Sequence, residues 1–323
     1  MKAIIIPFHQ YVPRGITAHY RIYFDQFKKL LPLWKDEFDH LYLIDHEWDF
    51  TEQDRRDLEQ IIGERFTIKS AEGFTHWDNL KEILPQVKED KVLLMDLDTI
   101  VYKKGLVEEK FKLLDKYDLV SMFDGSGGMR ELIWQKFPFL KEKGHIRFGA
   151  YFCFAKRELL LNLDFAPKHY EKGIYLKELD YTTIDGDWLD SFGEATLKIL
   201  AKNPRVAFIE DDRTSLYMNL DHTIAVWSNP LKTDCYHLRN WNLGLHLINE
   251  KKRDLESYEK YRQIVPIQEG CRLLGWLWVI AESVGKLDDN LKNDVLGITR
   301  DYGLNEDEWL NFISKFKELH PWI

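Results

Sequence analysis

Short apolar runs without polar interruption recur along the first two thirds of the chain, and stretches of helical spacing lie between them. Residues 3–6, Ala-Ile-Ile-Ile, read as a strand covered on both faces, because a half-exposed strand would alternate apolar with polar positions. Residues 17–31 read as a helix, and 41–44 as a second strand ending at Asp45. Residues 51–62 are polar with helical spacing and open on Thr51, a good N-cap, with Asp54 three positions on. Further strands are predicted over 66–68, 92–95, 119–123, 151–154 and 206–209, and further helices over 78–87, 110–116, 157–163 and 190–201. Strands alternating with helices predict a parallel, doubly wound sheet. From about residue 245 the period becomes helical throughout, with candidates over 247–263, 268–285, 287–301 and 305–319. This change of period divides the chain into residues 1–245 and a helical extension, 246–323.

Composition narrows the classes. The 323 residues are 45% hydrophobic and 31% charged, enough for a real core. The net charge of -9 argues against nonspecific nucleic-acid binding, since phosphates would be repelled. The three cysteines, Cys153, Cys235 and Cys271, form no CxxC pair. Such a sparse, odd set fits a reducing compartment, and a cytoplasmic protein is expected. The first apolar run is too short for a signal peptide. The longest later one, residues 273–281, falls well short of the roughly 20 residues that span a bilayer. Its Trp276 and Trp278 suit a buried helix, although the extension could also cover an acceptor site, form a dimer or touch a membrane surface.

The sharpest chemical signal is Met95-Asp96-Leu97-Asp98-Thr99, at the end of the run 91–95. If the extended backbone continues, Asp96 and Asp98 point the same way. Two carboxylates on one side call for a cation between them, and a hard divalent ion is the common solution. The same spacing also suits two solvated turn residues beside Lys103 or Lys104. Downstream, Asp124-Gly125-Ser126-Gly127-Gly128 is a flexible loop that lacks the Lys-Ser/Thr of a phosphate-cradling P-loop. Of the tryptophans, Trp77, Trp134, Trp188 and Trp241 are candidates for stacking on a sugar ring, against the commoner role of core packing.

Four segments in order resemble a GT-A glycosyltransferase, a nucleotide-sugar-dependent enzyme with a Rossmann-like, mostly parallel mixed sheet and helices on both faces. Residues 79–85 leading into 91–101 are similar to the family's helix and the strand ending in its DxD motif. Phe148-Gly149-Ala150-Tyr151-Phe152-Cys153-Phe154 resembles the strand that lines the acceptor side of the donor sugar. Gly186-Asp187-Trp188-Leu189-Asp190 resembles the acidic motif that supplies a base in inverting members, but departs from the usual Glu-Asp-x-Asp. Asp234-Cys235-Tyr236-His237 holds a histidine where many members have a metal ligand. The resemblance covers about residues 1–245.

What it implies is sugar transfer from a nucleotide diphosphate, with UDP-sugar preferred as donor. Mn²⁺ or Mg²⁺ would neutralise the leaving diphosphate. The resemblance puts Asp98 on the metal, Asp96 on metal and ribose, and His237 in the metal shell; imidazole tilts the choice to Mn²⁺. Asp190, then Asp187, then Glu194 are candidates for the base, each also explained by helix capping. Inversion is preferred only slightly to retention. Nucleotide contacts are expected at Phe8, His9 and Asp45, where ligands bind open α/β sheets, and at Asn79, Lys81 and Gly149, with Arg14 also in reach of the diphosphate. The acceptor, whether glycan, lipid-linked or protein, is left open, as is the oligomeric state.

Two other enzymes place similar residues on similar sheets. A haloacid-dehalogenase-like phosphatase would have threonine where Ile100 stands, and its motif near the chain start, with a late pair such as Asp211-Asp212. A sugar-nucleotide nucleotidyltransferase would have a Gly- and Arg/Lys-rich loop after the first strand, of which Pro13-Arg14-Gly15 is a faint echo.

Overall fold

In the computed structural model the apolar runs become strands. Residues 1–8, 21–45, 50–70, 80–97, 99–124, 127–142, 144–209, 216–218, 224–226, 236–237, 247–248, 251–252, 254–265 and 267–319 are described. β1 (Lys2–Phe8) is followed by α1 (Arg21–Trp34), β2 (His40–Asp45), α2 (Glu52–Ile62) and β3 (Phe66–Ser70). Then come α3 (Leu80–Ile83), β4 (Lys91–Met95), β5 (Thr99–Ile100), α4 (Leu106–Leu113), β6 (Leu119–Asp124), α5 (Arg130–Lys136), α6 (Pro138–Glu142) and β7 (Arg147–Lys156). α7 (Arg157–Leu160) leads into four two-residue strands, β8 (Lys168–His169), β9 (Tyr175–Leu176), β10 (Tyr181–Thr182) and β11 (Trp188–Leu189). α8 (Gly193–Leu200) and β12 (Val206–Phe208) complete this region.

Seven strands form one sheet in the order β12-β6-β7-β4-β1-β2-β3. The β1–β2, β2–β3, β1–β4 and β6–β12 pairs are parallel, and β7 runs antiparallel to both β4 and β6. The sheet is thus mixed and mostly parallel, as expected. The reversal has a local cause: α5 and α6 link β6 to β7 without a crossover, so β7 re-enters the sheet at the edge where β6 left it. Both faces are covered. Ala3, Ile5, Val92, Leu94, Cys153 and Ala155 on one face join a core with Leu80, Ile83, Ala195 and Ile199. On the other, Phe154 meets Phe111 of α4 edge-on at 5.0 Å.

Local chemistry sets several boundaries. Thr51 and Asp54 form the full capping box of α2. The helix predicted over 78–87 is cut short: α3 passes at Leu84 into a 3-10 turn, because Pro85 has no N–H to continue the ladder. The helix predicted over 110–116 lies earlier, as α4. The helix predicted from 190 begins only at Gly193, after Phe192 at φ 68. The predicted helix over 247–263 is interrupted, since Asp254 accepts from the N–H groups of Glu256 and Ser257 and starts a new helix.

The chain divides into two compact units, one of Met1–Gln10, Pro32–Thr99 and Lys103–Glu210, the other of Tyr11–Leu31, Ile100–Tyr102 and Asp211–Ile323. The second holds most of α1 and carries β13 (Leu216–Met218), β14 (Ile224–Val226), β15 (Tyr236–His237), α9 (Leu255–Ile264), α10 (Ile267–Ser283), α11 (Asp289–Asp301) and α12 (Glu306–Leu319). α10 is its buried axis. Trp276 meets Phe316 at 4.8 Å and Trp278 meets Trp309 at 6.0 Å, both edge-on. These tryptophans are core residues. Among the described residues no single helix is long and apolar enough to cross a membrane.

Candidate active site

β4 ends at Met95, and Asp96 and Leu97 do not continue the strand. The Asp96 carbonyl accepts from the Thr99 N–H at 3.0 Å, closing a four-residue turn. Strand alternation therefore does not set the direction of Asp96, and Asp98 lies outside the described residues. The turn is stapled to β7: the Tyr151 carbonyl accepts from the Asp96 N–H at 3.1 Å and the Thr99 hydroxyl at 2.6 Å. Gly149 makes room for the Tyr151 ring, since a Cβ there would fall 2.3 Å from it. Its place is thus explained by packing, which in turn fixes the Asp96 turn.

β1 lies between β2 and β4. From β1 the chain moves outward through β2 and β3, then returns to β4 on β1's other side. That reversal makes the carboxyl ends of β1 and β4 the sheet's topological switch point, the place where open α/β sheets bind ligands. Here lie Phe8, paired in register with Asp45, and Asp96 at the end of β4. Asp45 is only 4% exposed, and its Oδ1 has no hydrogen-bond partner among the described residues. A buried carboxylate oxygen without a donor is costly, so this one is suited to a ligand N–H or O–H. The side chain of Phe8, and His9, Arg14, Asn79 and Trp77, lie outside the described residues. Lys81 is exposed on α3. Burial pushes the Asp164 carboxyl up, but its bonds to Lys168 and the Ala166 N–H, with the Lys81 charge, hold it below its ordinary value.

The start of β7 faces the same edge, which brings in a residue the sequence reading missed. The Arg147 guanidinium meets Asp190 Oδ2 at 3.1 Å and donates to the Ser191 carbonyl at 2.8 Å. The Ser191 N–H donates to Asp190 Oδ1 at 2.8 Å. Both carboxylate oxygens of Asp190 are held, yet a third of its side chain remains exposed (33%). Asp187 does different work. Its Oδ2 accepts from the Tyr181 hydroxyl at 3.0 Å and the Ile184 N–H at 2.8 Å, closing its own loop. Glu194 accepts from Lys198 at 2.6 Å on the α8 surface.

Asp187 and Asp190 end a hairpin arm that the sequence pattern did not reveal. β8 pairs with β11 and β9 with β10, both antiparallel, and Tyr170 N–H to Asp187 O joins the two ladders. The loop after β6 packs against the arm's base: a Cβ at Gly128 would fall 2.2 Å from the Trp188 carbonyl, so this approach requires glycine.

The predicted metal shell is described only in part. Ile100, in β5, belongs to a two-stranded ladder with β15, which contains His237. The imidazole of His237, like Asp98, lies outside the described residues. Among the described residues no group of three or more His, Cys, Asp or Glu draws together as a metal site. Asp96 offers the hard carboxylate oxygen that Mg²⁺ or Mn²⁺ accepts.

No family model matches this chain, and no curated protein matches it. Its sheet is similar to those of several solved structures. Glucosyl-3-phosphoglycerate synthase from Mycobacterium tuberculosis, in complex with Mn²⁺, UDP and phosphoglyceric acid, is 18% identical, with 64% of this chain and 67% of that one covered and a TM-score of 0.39. The bifunctional IspDF of Campylobacter jejuni is 11% identical, with 88% and 79% covered and a TM-score of 0.35. A mycobacterial protein is 18% identical, with 51% and 56% covered and a TM-score of 0.34. The chain spans only 56% of that last protein and 60% of the synthase in its complex with phosphoglyceric acid alone. At TM-scores under 0.4 none of these likenesses carries a functional argument; the sheet's own order places this chain among Rossmann-like α/β proteins.

Proposed function

We propose that this protein is a metal-dependent glycosyltransferase that moves a sugar from a nucleotide-diphosphate sugar, UDP-sugar preferred, to a hydroxyl acceptor with inversion. The observation that carries it is the switch point between β1 and β4, with buried Asp45 on one strand end and Asp96 on another, and Asp190 held by Arg147 on the same sheet edge.

In this reading Phe8 stacks on the base and Asp45 accepts from its edge or from a ribose hydroxyl. His9, Asn79, Lys81 and Gly149 line the donor's path. Asp96 would serve ribose and metal, and Asp98 and His237 would be the further metal ligands. A bound Mn²⁺ or Mg²⁺ supplies charge neutralisation for the departing diphosphate. Asp190 accepts the acceptor's hydroxyl proton as that oxygen bonds to the anomeric carbon; the bond from that carbon to the diphosphate oxygen breaks, and the diphosphate takes the electron pair. Arg147 and the Ser191 N–H orient the carboxylate for this step. Asp187, whose Oδ2 closes its own loop, is the second base candidate.

The test is turnover and binding of a panel of UDP-, GDP- and CMP-sugars by the full chain, with Mn²⁺ or with EDTA. Mn²⁺-dependent turnover or binding of a nucleotide sugar is expected. Hydrolysis of p-nitrophenyl phosphate with no nucleotide-sugar binding would overturn the reading in favour of a phosphatase. Pyrophosphate-dependent exchange would favour a nucleotidyltransferase.

A further inference from the structure

The arm bearing Asp190 ends on an aromatic residue whose burial is incomplete. Trp188 lies two residues before Asp190 and is 39% exposed, although it belongs to a side-chain type that normally packs. It is also braced. Trp188 pairs with His169 across the β8–β11 ladder, and their rings stack at 6.3 Å with 19° between planes. From another side Gly128 presses on it so closely that a Cβ would come within 2.9 Å of Nε1. An indole held by a ladder, an imidazole and a glycine loses little freedom when something stacks on it.

The chemistry of the arm says what that something is. Residues 168–189 carry Lys168, Lys172 and Lys177 against Glu171, Glu178, Asp180, Asp185 and Asp187, three positive charges against five negative. The arm's exposed apolar side chains, Ile174, Tyr175 and Ile184, accompany this acidic balance. Phosphorylated, sulfated or carboxylated partners would be repelled. A pyranose ring has an apolar face of C–H groups for the indole and hydroxyls that tolerate an acidic surround.

We propose that Trp188, braced by His169, is the stacking platform for a neutral saccharide acceptor, which it holds beside Asp190. This rests on the glycosyltransferase reading for what happens to that saccharide, and on the arm alone for its binding.

The experiment uses the full chain as wild type, Trp188→Ala, Trp188→Phe and His169→Ala on an array of neutral, sialylated, sulfated and phosphorylated glycans. The best binder is then titrated in solution. Wild type is expected to select neutral glycans, Trp188→Ala to lose at least tenfold in affinity, Trp188→Phe to stay within about threefold, and His169→Ala to lose severalfold. UDP binding in Mn²⁺ and melting temperature, measured on each variant, report whether the fold is intact; if Trp188→Ala does not fold, His169→Ala and Trp188→Phe decide. Equal affinity in all folded variants, preference for anionic glycans, or no neutral glycan bound by wild type would each overturn the proposal. Trp188-dependent glycan binding in a protein that takes no nucleotide sugar would uphold the platform and sink the transferase reading alone.

Discussion

The two edges of the main sheet are built on opposite principles. At the amino edge Asp118, Asp115 and Asp39 are all engaged by partners from other elements. Asp118 accepts from Lys156 at 2.6 Å and from the Arg205 side chain at 3.1 Å and its N–H at 2.9 Å, tying together the ends of β6, β7 and β12. Lys91 meets Asp115 at 2.6 Å, and the Lys2 N–H donates to Asp39 at 2.7 Å. At the carboxyl edge Asp45 keeps a buried oxygen without a partner among the described residues, Asp190 is held but open to solvent, and Trp188 lies partly bare. One edge uses its charges to hold strands together. The other leaves the Asp45 oxygen and part of the Trp188 ring uncovered among the described residues, a pattern expected where stability has been traded for a site.

The comparison predicts that substitutions at the two edges separate function from stability. The largest effect is expected at Asp190. Asp190→Asn keeps the shape, and should lower the rate of transfer by about 10²–10⁴-fold while leaving nucleotide-sugar affinity unchanged. Steady-state rates beside a binding titration check this, and unchanged turnover would return the base to Asp187 or Glu194. Asp45→Asn comes next. It should weaken nucleotide binding about tenfold or more by replacing an acceptor with a donor, at a cost to thermal stability near zero, because the lost oxygen has no described partner. A fall in melting temperature with unchanged affinity would place Asp45 among the structural carboxylates.

How far these positions could be read beforehand depends on how local their causes are. β1, β2 and β4 are legible because buried strands leave unbroken apolar runs, and the Thr51–Asp54 box because its partners are three residues apart. Pro85 in the predicted helix marks its own break. The hairpin arm is illegible because β8 to β11 are two residues each, too short to show a period, and are set by pairings such as Trp188 with His169, nineteen residues apart. Arg147 could not be singled out, since its role depends on β7 running antiparallel and so starting at the carboxyl edge. The choice between Asp187 and Asp190 likewise depends on the donors that Tyr181, Ile184 and Arg147 bring to them.

The smallest effect belongs to the closed edge, and its pH dependence has a definite sign. The bonds from Arg205 and Lys156 hold the Asp118 carboxyl far below its ordinary value in the folded protein, against a smaller upward push from burial. A depressed folded pKa means that the unfolded chain takes up the proton first. The stabilisation is therefore fully present above the unfolded carboxylate's pKa, about 3.9, and is lost as pH falls from there toward the folded value. Asp118→Asn should cost about 1–2 kcal/mol at pH 7, a modest figure because Arg205 is well exposed and its share is screened by solvent. Urea unfolding of both proteins at pH 7, 4 and 3 should show the gap narrowing only below about pH 4, with nucleotide affinity at pH 7 the same in both. A gap that holds constant to pH 3 would mean that the ion pairs contribute little and that packing and the β6–β12 ladder fasten β12 to the sheet.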